Sequence, residues 1–211
     1  MSKVTDLRVG RSREKRINVF LDGKFAFSLQ AKIATKEGLR TGQELSANQV
    51  EVLAGSDQFQ RCLNTAIRYL SYRPRSESEV KIQLQRRGFN GDSMESVITK
   101  LKEQGLVDDL AFAQFWKDDR ESFSPRSQKL TRLELRQKGL ASEVIDQVIN
   151  EIDDNDSAYR VAVNKAHRLP RSDYQDFRRR LGEHLKRRGF DYGVINHTIE
   201  RVWQEGESSS G

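Results

Sequence analysis

Three prolines occur in the chain, and all stand in the same triplet: Pro74-Arg75-Ser76, Pro125-Arg126-Ser127 and Pro170-Arg171-Ser172. Each triplet leads into a segment of helical pattern that ends in basic or polar residues, then glycine, then an apolar residue. Those ends are Arg86-Arg87-Gly88-Phe89, Gln137-Lys138-Gly139-Leu140 and Arg187-Arg188-Gly189-Phe190. The glycines recur 51 and then 50 residues apart. A period of that size dictates an array of supersecondary units rather than one irregular core.

Counted from each glycine, the apolar positions superpose. Six residues on stand Met94, Ile145 and Ile195; nine and ten on, Val97-Ile98, Val148-Ile149 and Thr198-Ile199; thirteen on, Leu101, Ile152 and Val202. This is the stripe of an amphipathic helix, repeated three times. Leu84, Leu135 and Leu185 recur four before each glycine, and first helices are expected over 59–72, 109–121 and 157–169. The expected fold is therefore mainly α, with three tandem three-helix repeats in an elongated curved array. The units are expected at 56–106, 107–153 and 154–205, after an N-terminal extension over 1–55 and before a disordered tail over 206–211.

The punctuation has a structural reason. Proline keeps its predecessor out of the α region, so the first helix stops before it. The serine two residues later is placed to cap the next helix, with Glu79 and Gln175 at capping-box distance from Ser76 and Ser172, while Ser127 caps alone. Glycine followed by an apolar residue suits a left-handed C′ position. The acid pairs Asp108-Asp109 and Asp153-Asp154 fall where first helices begin, which suits N-capping.

The first 30 residues follow a period of two. Ile17, Val19 and Leu21 alternate, Asp22-Gly23 supplies a turn with positive φ, and Phe25, Phe27 and Leu29 alternate after it. Val4, Leu7 and Val9 offer a third strand to this small N-terminal β-hairpin. Arg8, Arg11, Arg13, Lys15 and Arg16 form a basic tip, either a solvated turn or an anion-contacting finger. Short helices are expected over 31–55, the second capped by Ser46 and ending near Gly55. Beyond it Phe59, Leu63, Ala66, Ile67 and Leu70 form a stripe.

Charge bears on partners. Lys and Arg number 37 against 31 Asp and Glu, a net charge of +6 that modestly favours polyanions. The stretch from Lys165 to Arg188 carries nine cations and three carboxylates, a surplus equal to that of the whole chain. The candidates for binding DNA or a protein partner are the cations that recur with the repeat, Arg75, Arg86, Arg87, Arg126, Lys138, Arg171, Lys186, Arg187 and Arg188, together with the arginine run Arg178, Arg179 and Arg180 of the third unit. Arg178, Arg179 and Arg180 cannot share one helix face, and the aromatics fall at helical spacing, as core residues do.

No motif for catalysis emerges: no phosphate-cradling glycine loop ending in Lys-Ser/Thr, no HExxH and no Cys/His metal spacing. The lone Cys62 lies among apolar residues, as a buried thiol would, and excludes an internal disulfide. Neither a membrane span nor a signal peptide is legible, so a cytoplasmic, non-enzymatic protein without cofactor or metal is expected.

The segment Tyr69-Leu70-Ser71-Tyr72-Arg73-Pro74-Arg75-Ser76, with Glu79, Leu84 and Arg87-Gly88-Phe89, resembles the first-repeat signature of the RecX family, bacterial regulators of the RecA recombinase. Val107-Asp108-Asp109, Phe112-Ala113, Trp116, Arg120, Pro125-Arg126, Glu134-Leu135 and Lys138-Gly139 extend the resemblance, which covers about residues 57–205. It implies tandem three-helix repeats and binding to the RecA filament on single-stranded DNA, with damping of its ATP hydrolysis, strand exchange and co-protease action; a monomer is expected. The third unit departs from the pattern: its proline and glycine are 19 residues apart instead of 14, so its second helix is longer and rich in arginine. The alternative is an independent nucleic-acid-binding module that acts on DNA directly through helix-turn-helix pairs.

Overall fold

The computed structural model describes residues 1–10, 16–170 and 172–208. Among the described residues there are four strands and ten helices, the first helix falling between the third and fourth strands. The chain divides into two compact units, one of Met1–Arg73 with Val80–Leu106, the other of Pro74–Glu79 with Val107–Gly211.

In the first unit β1 (Ser2–Val9), β2 (Arg16–Leu21), β3 (Lys24–Gln30) and the short β4 (Glu44–Leu45) form an antiparallel sheet in the order β3-β2-β1-β4. The β2–β3 turn has positive φ at Asp22 (49°) and Gly23 (80°), as a tight hairpin requires. The expected alternation through β3 breaks at Phe25. A register shift after Val19 sets Phe20 opposite Phe25, and the two rings meet edge-on at 5.9 Å. A bulge turns the residues beyond it to the other face, so Phe27 and Leu29 join the core and Phe25 does not. Val4, Val19 and Leu29 are fully buried with Ile33 and Ala34 of α1 (Ala31–Lys36).

Helix α2 (Ala47–Leu70) starts at a complete capping box between Ser46 and Gln49. It runs unbroken through Gly55, where a helix end was expected; a helical glycine costs about 1 kcal/mol, too little to stop a helix of 24 residues. Asp57 ties α2 to the sheet. Its carboxylate accepts Arg16 Nη2 at 2.8 Å and the Gln30 backbone N–H at 2.8 Å. Arg8 pairs with Asp6, so both described cations of the basic tip are bound within the unit; Arg11, Arg13 and Lys15 lie outside the described residues. Cys62, Leu63 and Ala66 are buried with Val97, Ile98 and Leu101 of α4 (Gly91–Glu103), while Ile67 is 43% exposed, so the core stripe lies one step from the expected one. Burial pushes the Cys62 thiol up to about 11 and leaves it unreactive.

Helix α3 (Glu77–Arg86) begins in the second unit and continues in the first. The second unit then contains α5 (Asp109–Phe123), α6 (Gln128–Gln137) and α7 (Ser142–Ile149), followed by α8 (Asp154–Ala166), α9 (Tyr174–Lys186) and α10 (Tyr192–Ser208). Each triplet of helices closes over its own core: Phe112, Leu135, Ile145 and Ile149 in one, Phe177, Leu181, Leu185 and Ile199 in the other. Trp203 of α10 stands edge-on to Tyr174 and Phe177 and closes the second core.

Within this unit the recurring punctuation of one repeat meets that of the next. Ser76 accepts the Glu79 N–H and donates its hydroxyl to the Lys138 carbonyl at 2.7 Å. One repeat later, the Ser127 hydroxyl accepts the Leu130 N–H, and the Ser127 N–H reaches the Arg188 carbonyl at 3.1 Å. Gly88, Gly139 and Gly189 all have φ between 80° and 86°. A Cβ on Gly139 would collide with Ser78, and one on Gly189 would lie 2.6 Å from Ser127 Oγ and 2.7 Å from Leu130 Cβ. Gly88 has nothing nearby. The acid pairs divide their work in the same way. Asp108 and Asp153 cap their own helices, while Asp109 and Asp154 each accept, at 2.8 Å, the first N–H of the preceding repeat's second helix, from Glu77 and Gln128.

The third triplet differs. Asp173, not Ser172, caps α9, accepting the Gln175 and Asp176 N–H groups. An aspartate one position later offers two carboxylate oxygens, one to each of these N–H groups. Helix α9 has 13 residues against ten in α3 and α6, which accounts for much of the wider spacing. Helix α10 continues through Ser208; residues 209–211 of the expected tail lie outside the described residues.

Candidate functional site

Several of the recurring cations belong to the architecture. Arg126 pairs with Glu134, which also accepts Trp116 Nε1 at 2.8 Å and Arg120 Nε at 2.9 Å. The Arg120 guanidinium and the Lys138 ammonium lie over the Trp116 ring at 4.4 and 4.8 Å, and Lys138 also pairs with Glu79 at 2.8 Å. Burial, with Arg120 and Arg188 nearby, holds the Arg126 guanidinium below its ordinary value. Arg188 is likewise lowered by burial; it donates to Ser124 Oγ at 3.0 Å and the Pro125 carbonyl at 3.2 Å.

The arginine run of α9 is divided. Arg178 is half-buried and reaches Asn196 at 3.4 Å. Arg179 and Arg180 are exposed, and both pair with Asp176 at 2.6 Å. Arg75 is half-buried, and Arg171 lies outside the described residues. Arg86, Arg87, Lys186 and Arg187 are exposed, and no ion pair engages them among the described residues.

Two grooves gather such cations. In the first unit, a groove of about 700 Å³ runs along α2 and is lined by Arg61, Arg68, Tyr69, Tyr72, Arg87 and Phe89, with the carboxamides of Gln30, Asn64 and Gln83. It contains no carboxylate. Phe89 forms a buried floor, with the Arg61 guanidinium 6.0 Å from its ring centre. Arg61 and Arg68 are missing from the candidates drawn from the repeat because they do not recur with it. The signal that would have found them is their i, i+7 spacing on the face of α2 away from Cys62, Leu63 and Ala66. Tyr72 is 73% exposed, and Phe123, which also stands two residues before a proline, is 84% exposed. Aromatic residues are therefore displayed, contrary to the expectation that helical spacing buries them; both follow the last core turn of a first helix, where the chain has left the apolar stripe.

In the second unit, Leu130, Leu133 and Phe190 floor a groove rimmed by Lys129, Arg132, Arg136 and Lys186, with Asp191 as the carboxylate in its lining. Arg132 pairs with Asp146; Lys129, Arg136 and Lys186 are exposed. Among the described residues, no group of His, Cys, Asp and Glu is placed to hold a metal ion, and no helix is long and apolar enough to cross a membrane.

Four family models match consecutive segments. They are the regulatory protein RecX N-terminal domain over residues 2–46 and the RecX first, second and third three-helix domains over 62–101, 108–149 and 152–199. Among relatives, a Regulatory protein RecX of Clostridium botulinum (strain Eklund 17B / Type B) is 28% identical over 207 residues, 96% of this chain and 97% of that one. Another, from Listeria monocytogenes serotype 4a (strain HCC23), is 30% identical over 152 residues, 72% of this chain and 56% of that one. A crystal structure of regulatory protein RecX superposes with a TM-score of 0.68 at 24% identity, over 95% of this chain and 100% of that one. The structure of RecX from Lactobacillus salivarius gives 0.61 at 23%, over 70% and 97%. At these identities the two structures speak for the fold.

Proposed function

The chain belongs to the RecX family of regulatory proteins, and on that premise we propose that it is a non-enzymatic regulator of the RecA recombinase. In this reading a cytoplasmic monomer binds the RecA filament on single-stranded DNA and lowers its ATP hydrolysis, strand exchange and co-protease action. The observation that supports a protein partner is the groove of the second unit. An apolar floor of Leu130, Leu133 and Phe190 under Lys129, Arg136 and Lys186, which no ion pair engages among the described residues, suits an acidic segment that also brings an apolar anchor. The test is ATP hydrolysis by RecA on single-stranded DNA titrated with the chain. Hydrolysis is expected to fall to a plateau, and a rate that stays constant at saturating chain would sink the proposal. A second reading, a module that binds nucleic acid without the recombinase, is favoured by the carboxylate-free groove of the first unit.

A further inference from the structure

We infer that the groove along α2 in the first unit is a direct binding site for single-stranded nucleic acid, with phosphates on Arg61, Arg68 and Arg87 and a base against Tyr72. The inference goes beyond the recombinase reading and is tested without any recombinase present.

The chemistry of the lining carries it. Three guanidinium groups converge on one groove whose lining contains no carboxylate. Other surface arginines of this chain do find acids, as Arg179 and Arg180 find Asp176 and Arg201 finds Glu205. Unneutralised guanidinium groups brought together repel one another unless an anion sits among them. Arg61 and Arg68 lie two turns apart on α2, about 10 Å along its axis, so they suit an extended polyanion better than a single small one. Arg87, which follows the last residue of α3 and precedes Gly88, adds the third guanidinium to the lining.

The remaining residues distinguish nucleic acid from an acidic peptide. Tyr72 brings an exposed ring to the lining, and the carboxamides of Gln30, Asn64 and Gln83 can each donate to and accept from a base edge. The lining is set on a firm base: Phe89 is buried beneath Arg61, and the Gln30 backbone is fixed by Asp57, which Arg16 holds from the other side. A single strand exposes the faces of its bases to a ring such as Tyr72, whereas a duplex keeps them stacked, so the groove selects the single strand.

The experiment is fluorescence anisotropy of the full chain with a labelled oligothymidylate, over a range of salt concentrations. Binding should weaken as salt rises, and each of Arg61→Ala, Arg68→Ala and Arg87→Ala should reduce the slope of log K against log salt by about 0.7. Tyr72→Ala should weaken binding about 5- to 100-fold, and Tyr72→Phe should bind as the parent does because the ring is kept. All four side chains are solvent-facing or border the groove, so an unchanged melting temperature verifies that the variants fold. No binding by the parent chain, equal binding by the arginine variants, or equally tight binding of a duplex of the same length would overturn the inference. The ATP hydrolysis assay with RecA is independent of that outcome, so failure of the one reading is separable from failure of the other.

Discussion

Gly139 and Gly88 have the same backbone conformation and different neighbours, which separates two reasons for a conserved-looking turn within one chain. At φ 80° and 83° both resist a side chain, and Gly88→Ala should cost about 1–2 kcal/mol from backbone strain alone. Gly139→Ala adds a collision with Ser78 and should cost a further 1–3 kcal/mol, roughly, as overpacking does. Chemical denaturation of the two variants measures the difference; equal losses would mean that the repeats do not meet closely there. His184 makes a second prediction at this scale. Burial, then Arg188, Lys165 and Arg187, hold its imidazole below the usual 6.5. The unfolded chain therefore takes up this proton at a higher pH than the folded chain. The contribution is present above 6.5 and is lost as pH falls through 6.5 toward the folded value, so His184→Gln should flatten the decline in stability between about pH 7 and pH 5.

At the scale of the helix, the second acid of each Asp-Asp pair is the informative one. Asp109 and Asp154 cap the second helix of the preceding repeat rather than their own. Asp154→Ala should lower stability by about 1 kcal/mol and speed amide exchange at the start of α6, while exchange at the start of α8, capped by Asp153, stays slow. Exchange accelerated at α8 instead would contradict the assignment. The helices themselves were legible because a stripe repeated at fixed distance from each glycine leaves little freedom in register. The partners of Pro-Arg-Ser and Lys-Gly were not, since a cap and the group it also touches 62 residues away leave the same local pattern. The same blindness hid the shift to Asp173 and the bulge that turned Phe25 out of the core. Both depend on what lies opposite, and local spacing records only what lies alongside.

At the scale of the whole chain, the candidate cations among the described residues include some that hold the repeats and others that face solvent. Repeat position and local charge selected them as one class, because neither separates a cation that holds the fold from one that faces solvent; ion pairing distinguishes them, and that is a property of the fold. Arg126, Lys138 and Arg188 are engaged by Glu134, Glu79 and the Ser124-Pro125 turn. Their replacement by alanine should lower the melting temperature by several degrees, about 1 kcal/mol or more for each. Arg86, Arg87, Lys186 and Arg187 are exposed, and their replacement should leave melting within about 0.5 kcal/mol of the parent. The most direct test of the account is RecA ATP hydrolysis on single-stranded DNA, titrated with the Arg86→Ala, Arg87→Ala, Lys186→Ala, Arg187→Ala variant beside the parent chain. A curve shifted tenfold or more to higher concentration, with melting unchanged, is the predicted result; a variant that inhibits as well as the parent would contradict the account.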